Sequence, residues 1–442
     1  MDRNGVRSVR VTVSPGRISG EVNMLPSKSH LHRLLIVAAL ADEETLLKSA
    51  PTEAEDIDAT IACLEALGAK IAYVNNGDDG GADGEFRVVP INRENLPSHA
   101  VLPCKESGST LRFLLPVVCA LGVTSEFLME GRLPDRPLNP LDRELEQAGI
   151  CLSRPKREVL HCEGKLRAGD FSLPGDISSQ YVTGLILALP LLDEDSNLKV
   201  HEPIESEDYI KMTLEVLERF GQLPEIEKNR YYIKGSNVFR SPGKVIVEGD
   251  WSNASFWLSA GAMPGGNMRI GGLSSNSRQG DKEVCKILEK MGANLRWEND
   301  VVHVSEGTRQ AVEIDAAAIP DLIPVLVAVA AVGEGLTTIK NATRLRLKES
   351  DRLTSTAETL NALGANVIEK ADGLEIRGVA KLKGGTVDAW GDHRIAMTAA
   401  IASAACEEPV TITGAEAIRK SYPQFWDELA RLGKELKGSD YV

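Results

Sequence analysis

One phrase recurs six times along the chain: an amphipathic helix closing on Leu-Gly-Ala or a near relative, followed by a short strand. The copies are "ACLEALGAKIAYV", "RELEQAGICLS", "EVLERFGQLPEI", "KILEKMGANLRW", "ETLNALGANVIE" and a truncated "DELARLGKEL". Their glycines stand at 68, 149, 221, 292, 364 and 433, so successive spacings are 81, 72, 71, 72 and 69 residues. A period of this size makes one supersecondary unit the building block of the whole chain. Each glycine falls where a helix needs a left-handed residue to stop, and the apolar-polar alternation after it predicts a strand.

A second phrase keeps the same period. A short polar cluster precedes an almost wholly apolar helix at "SKSHLHRLLIVAAL", "SGSTLRFLLPVVCAL", "SSQYVTGLILALPLL", "SNASFWLSAGAM", "PDLIPVLVAVAAV" and "DHRIAMTAAIASAA". Helices apolar on every face belong inside a domain. With 442 residues the chain exceeds one ordinary core, so the expectation is two domains of three units each. The fold class is then α/β, with buried helices walled by amphipathic helices and sheets.

Burying a helix leaves its first N–H groups without intrahelical partners, so side chains or a ligand must satisfy them. Ser27, Ser107, Ser178 and Ser252 are placed to cap four of the six. Serine caps do not account for Lys28, Arg112 and His393-Arg394, long cationic groups that a buried helix normally avoids. If the buried helices of a domain run in parallel, several dipole-positive ends meet at one surface, which would bind anions. The chain as a whole has a formal charge of −14, which opposes general attraction to nucleic acid or an anionic membrane. Any basic site is therefore local.

The turn at Ser241-Pro242-Gly243 divides the third unit from the fourth, and "SPGRISG", residues 14–20, is a second turn before the first buried helix. The N-terminal strand could belong to either half; placed with the far half, it gives the expected discontinuous domain of 1–19 plus 242–442 and a continuous one of 20–241.

"LRLKESDRL", residues 345–353, reads as the opening of an amphipathic helix with Lys348 and Arg352 on one face and Glu349 between them. Asp321, at the start of a buried helix, and Glu349, near cations, are two carboxylates in different electrostatic settings and so a candidate acid/base pair. No Gly-rich nucleotide motif is present, and His30 and His32, two apart, make a poor metal pair. Seven cysteines without a CxxC pair read as reduced thiols, mostly in the core. "MDRNGVRSVRVTVSPG" has no apolar signal core, and the longest apolar run is too short to span a bilayer. A cytoplasmic protein with no metal is expected.

The motifs "PSKSHLHR", "ESGSTLR", "DRP", "SSQ", "LKESDR", "DHR" and "RKSYP", in this order, closely resemble the 5-enolpyruvylshikimate-3-phosphate synthase family, the 3-phosphoshikimate 1-carboxyvinyltransferases. The match covers essentially the whole length. It implies a two-domain inside-out α/β barrel of six βαβαββ units, three per domain, with buried parallel helices. It implies transfer of the enolpyruvyl group of phosphoenolpyruvate to the 5-hydroxyl of shikimate 3-phosphate, releasing phosphate through a tetrahedral intermediate, with no cofactor. The expected partners are these two small molecules, and the expected state is a monomer.

Residue by residue, the resemblance implies that Lys28 bridges the two substrates, with Ser29 and Arg33 on shikimate 3-phosphate. Ser178, Ser179, Gln180, Ser206, Tyr209, Asp321 and Lys348 join them there. Phosphoenolpyruvate falls to Gly108, Arg112, Arg136, Gln180, Glu349, Arg352, His393, Arg394 and Lys420, besides Lys28. The 5-hydroxyl proton goes to Asp321, and Glu349 handles protons at the enolpyruvyl methylene. The continuous domain would hold mainly shikimate 3-phosphate, and the discontinuous one the phosphoenolpyruvate clamp. Lys105 stands where glycine often precedes the loop, and Pro26 adjoins Ser27 where the family often inserts glycine.

The sister family, acting on UDP-N-acetylglucosamine, usually has Lys-Asn in the first motif and a reactive loop cysteine. Here Lys28-Ser29 fills the motif, and no cysteine lies near Arg136. A non-catalytic anion-binding scaffold is a third reading; it would need the basic residues but not both Asp321 and Glu349.

Overall fold

The computed structural model describes residues 9–75 and 84–439; the first eight residues of the N-terminal segment lie outside them. Buried and amphipathic helices alternate along the chain. The series begins with α1 (Lys28–Ala39), α2 (Glu55–Ala66), α3 (Gly108–Leu121), α4 (Leu141–Gln147), α5 (Ser179–Ala188) and α6 (Glu207–Arg219). It continues with α7 (Trp251–Ala262), α8 (Val284–Lys290), α9 (Ile323–Ala330), α10 (Arg352–Ala362), α11 (His393–Ala402) and α12 (Phe425–Arg431). Each even-numbered helix is followed, within two residues of its end, by one of the six repeat glycines, all with positive φ, from 75° at Gly221 to 106° at Gly68. That conformation is easy for glycine alone, so the spacing read from the sequence marks real helix stops.

Six four-stranded sheets are present among the described residues. In the sheet built on 99–105, the order is 99–105, 124–129, 159–163, 151–156; the first pair is parallel and the next two are antiparallel. All six sheets repeat that order of pairings. In four of the sheets the parallel strands flank one buried helix, whose crossover returns the chain in the same direction; in the other two the parallel partners come from distant parts of the chain, 19–23 with 267–271 and 244–246 with 45–49.

The chain divides into two compact units, a discontinuous one of 1–25 with 249–442 and a continuous one of 26–248. Each crossing lies one strand later than the sequence reading of 19/20 and 241/242. Strand 19–23 pairs with 267–271 and so stays with the discontinuous unit. Strand 244–246 pairs with 45–49 and stays with the continuous one. Turn residues mark where the chain bends, whereas strand pairing decides to which unit it belongs.

Each unit has its own core. In α1 every residue from His30 to Ala39 is buried, and Leu34, Leu35, Ile36 and Val37 are fully so; each such side chain contributes about 1.5–3 kcal/mol relative to exposure. Backbones approach closely where α3 meets α5, since a Cβ on Gly184 would lie 2.3 Å from the Arg112 carbonyl. All seven cysteines are free thiols, six of them buried and Cys151 exposed. Among the described residues no helix is long and apolar enough to cross a membrane.

Candidate active site

In the continuous unit the buried helices open as their polar clusters require. Ser27, Ser107 and Ser178 are the N-caps of α1, α3 and α5, accepting from the N–H groups of His30, Thr110 and Gln180. Behind these caps the cations are held by neighbouring helices. Lys28 Nζ lies 2.6 Å from Asp56 at the start of α2. Arg33, buried, donates to the Ser29 carbonyl at 2.6 Å, to the Tyr209 carbonyl at 3.1 Å and to Thr213 Oγ1 at 2.8 Å. Burial pulls its pKa down to about 10, against an opposing influence from Tyr209.

Arg112 donates to Gln180 Oε1 at 3.0 Å, and the Gln180 amide donates to Ser109 Oγ at 3.0 Å, so the openings of α3 and α5 are joined. Gly108 lies against both nearby guanidinium groups: a Cβ there would sit 2.5 Å from Arg112 Nη1 and 2.8 Å from Arg136 Nη1. Any side chain would displace the arginines. Ser206 takes the position before α6 with φ of 54°, and Lys105 has φ of 49°, the left-handed region in which glycine is easier.

The discontinuous unit gathers opposite charges around Arg352, which is 1% exposed. Its guanidinium donates to Asp321 Oδ1 at 2.6 Å, Glu349 Oε2 at 2.6 Å and Asp392 Oδ2 at 2.8 Å. Lys348 Nζ is 3.3 Å from Asp321 Oδ1, and Arg394 Nη2 is 3.5 Å from Asp321 Oδ2. Arg394 also donates to the Asp321 carbonyl at 3.0 Å and to Ser252 Oγ at 2.6 Å. His393 Nδ1 lies 3.8 Å from Asp392, and Lys420 donates to the Gly391 carbonyl at 2.8 Å.

The electrostatics follow from this packing. Burial opposes the charge on Asp321, yet Arg394, Lys348 and Arg352 outweigh it and hold the carboxyl well below the usual carboxylate range. Asp392 is likewise lowered, burial being overcome by Arg352. Burial lowers Lys348, with Arg352 and Arg344 adding to the effect and Asp321 working against it. For Arg352, burial is outweighed by Asp392, Glu349 and Asp321, which raise its pKa and fix it as a cation.

A family model matches the sequence over most of its length. That model, EPSP synthase (3-phosphoshikimate 1-carboxyvinyltransferase), covers residues 13–429. The chain belongs to the EPSP synthase family. A 3-phosphoshikimate 1-carboxyvinyltransferase of Clostridium acetobutylicum is 42% identical over 433 residues, 96% of this chain and 98% of that protein. One from Clostridium kluyveri is 40% identical over 428 residues, again 96% and 98% of the two chains. An EPSP synthase structure from Acinetobacter baumannii superposes with a TM-score of 0.78 at 24% identity, covering 98% of this chain and all of that one. The enolpyruvyl transferase NikO from Streptomyces tendae shares the fold with a TM-score of 0.76 at 19% identity, over 98% of each chain.

For this EPSP synthase family member, three local readings are corrected. The helix after "LRLKES" begins only at Arg352, capped by Asp351, and residues 343–347 form a 3-10 turn. Lys348 and Arg352 therefore share no helix face and meet instead through Asp321. Asp250, not Ser252, caps α7, which frees Ser252 to receive Arg394. Asp321 lies two residues before α9, in the preceding turn, and is only partly buried. Two acidic residues escaped sequence reasoning. Asp56 holds Lys28, and its signal was the acidic first turn of α2; Asp392 holds Arg352, and its signal was an N-cap aspartate before a wholly apolar helix.

Proposed function

We propose that the chain transfers the enolpyruvyl group of phosphoenolpyruvate to the 5-hydroxyl of shikimate 3-phosphate, by addition and elimination. The observation that carries this reading is the cluster in which Arg352 is gripped by both Asp321 and Glu349, with Lys348 and Arg394 within 3.5 Å of Asp321. A scaffold that only bound anions would have no use for two carboxylates placed among the cations that bind them.

Glu349, as the acid, gives a proton to the methylene carbon, leaving C2 electron-poor. The 5-hydroxyl oxygen attacks C2, and Asp321 takes its proton. Asp321 is a weak base, held low by three cations, but a hydroxyl bonding to an electron-poor carbon becomes acidic and needs no stronger one. Phosphate then leaves as Glu349 recovers a proton from the methyl group, and the proton on Asp321 passes to the departing phosphate. Lys28, Arg352, Arg394 and Lys420 offset charge on that phosphate. No cofactor or metal is required.

Ser29, Arg33, Ser178, Ser179, Gln180, Ser206, Tyr209 and Lys348 hold shikimate 3-phosphate. Lys28, Gly108, Arg112, Arg136, Gln180, Arg352, His393, Arg394 and Lys420 hold phosphoenolpyruvate. The continuous unit thus serves mainly the first substrate and the discontinuous unit clamps the second. Each unit is read as an inside-out α/β barrel of three βαβαββ repeats, and the protein as a cytoplasmic monomer. The test is phosphate release from phosphoenolpyruvate with shikimate 3-phosphate or UDP-N-acetylglucosamine as acceptor. Release with the first alone is expected; release with the second alone overturns the assignment.

A further inference from the structure

Building on the functional reading above, we propose that His32, Thr60 and Thr110 are positioning residues for phosphoenolpyruvate, forming a buried relay that sets the opening of α3 against α1 and α2. His32 Nδ1 lies 2.7 Å from Thr60 Oγ1, Thr60 Oγ1 lies 2.7 Å from Thr110 Oγ1, and Thr110 Oγ1 donates to Ser107 Oγ at 2.7 Å. All four residues are fully buried. Ser107 also accepts the Thr110 N–H at 3.2 Å, so the relay ends on the cap directly before Gly108.

The spacing explains what the relay does. His32 is four residues beyond Lys28, and Thr60 four beyond Asp56. The Lys28–Asp56 ion pair and the His32–Thr60 hydrogen bond are therefore consecutive rungs between two helices running in the same direction. Thr110 extends the second rung to α3, whose first turn carries Gly108 and Arg112. Burial, with Lys28 and Arg33, holds His32 well below its ordinary pKa, so the ring is neutral and has one donor and one acceptor nitrogen.

Apolar side chains of similar shape would fill this space without desolvating three polar groups. A hydrogen-bonded chain adds direction and register, which packing alone leaves loose. A second, separate chain runs from Arg33 through Thr213 Oγ1 to Thr183 Oγ1 at 2.8 and 2.9 Å, tying α1 to α6 and α5 on the shikimate 3-phosphate side. Breaking the first chain should therefore affect one substrate and spare the other.

The test compares Thr60→Val with Thr60→Ser in the full chain. Thr60→Val is expected to raise KM for phosphoenolpyruvate roughly five- to tenfold, the scale of one buried hydrogen bond, while KM for shikimate 3-phosphate changes less than about twofold. Thr60→Ser, which keeps the hydroxyl, is expected to behave as wild type. Equal changes for the two substrates, or serine and valine variants alike, would overturn the proposal. If Thr60→Val does not fold, Thr110→Val against Thr110→Ser gives the same comparison; failure of both valine variants to fold would make the relay a folding requirement and also overturn it. Amide hydrogen exchange separates this proposal from the functional reading, since it needs no turnover. Faster exchange at residues 108–112 than at 28–33 in Thr60→Val is expected, and unchanged exchange at 108–112 would sink the relay even in an active enzyme.

Discussion

The continuous unit should lose stability in mild acid, because two histidines are buried neutral in its first helix. His30, 3% exposed, accepts the Glu248 N–H on Nδ1 at 3.2 Å, and burial, with Arg219 and Arg33, lowers its pKa from 6.5 to about 4. His32 is lowered well below 6.5 by burial, then by Lys28 and Arg33. A lowered histidine pKa means the unfolded chain binds the proton and the folded one does not. Stability is then complete above the unfolded pKa of 6.5 and falls as pH drops toward 4. At about pH 5 the unfolded chain sits roughly 1.5 units below its histidine pKa, so each group costs about 2 kcal/mol and the pair about 4 kcal/mol. Asp321 and Asp392, with lowered pKa values, contribute in the opposite region: their stabilisation is present above 3.8 and lost only below it. Urea unfolding at about pH 7.5 and pH 5 reads the difference. Wild type should lose about 4 kcal/mol between the two, and His30→Gln, whose amide oxygen can accept the Glu248 N–H, about half as much. Equal stability at both pH values, or the same loss in His30→Gln, would rule out the buried histidines as the cause.

Two further substitutions probe the candidate residues of each unit. Gly108→Ala places a methyl group within 2.8 Å of both Arg112 and Arg136 guanidinium nitrogens and should raise KM for phosphoenolpyruvate at least about tenfold, with less effect on shikimate 3-phosphate, as read by initial rates. Asp392→Asn keeps the cap on α11 but removes one of the three carboxylates on buried Arg352; thermal and urea unfolding should show a loss of about 2–4 kcal/mol, and turnover should fall with it.

Much of this architecture was legible because it repeats. Six glycines at one period announced six helix stops, and six apolar stretches announced the buried helices, since neither pattern depends on distant contacts. The serine caps at 27, 107 and 178 were legible for the same local reason. The misreadings involve partners far apart in sequence. Strand 244–246 belongs with 45–49, a pairing no turn signal reveals. Ser252 falls inside the helix that Asp250 caps, and its hydroxyl accepts instead from Arg394, 142 residues away. The i,i+4 spacing of Lys348 and Arg352 suggested a helix face, but Asp351 is the better cap and delays the helix to Arg352. Asp56 and Asp392 were hidden because an acidic residue at a helix start is ordinarily just a favourable end charge, and only the fold shows which cation it holds.

In the proposed mechanism Glu349 adds a proton to, and removes one from, the enolpyruvyl methylene during transfer. Turnover in deuterium oxide, followed by mass spectrometry of the product, reads this proton traffic. Protonation at that carbon makes a methyl group that carries solvent deuterium, so deuterium is expected in the product methylene, with Glu349→Gln slowing its appearance together with phosphate release. Product formed at the wild-type rate with no deuterium in the methylene would contradict it.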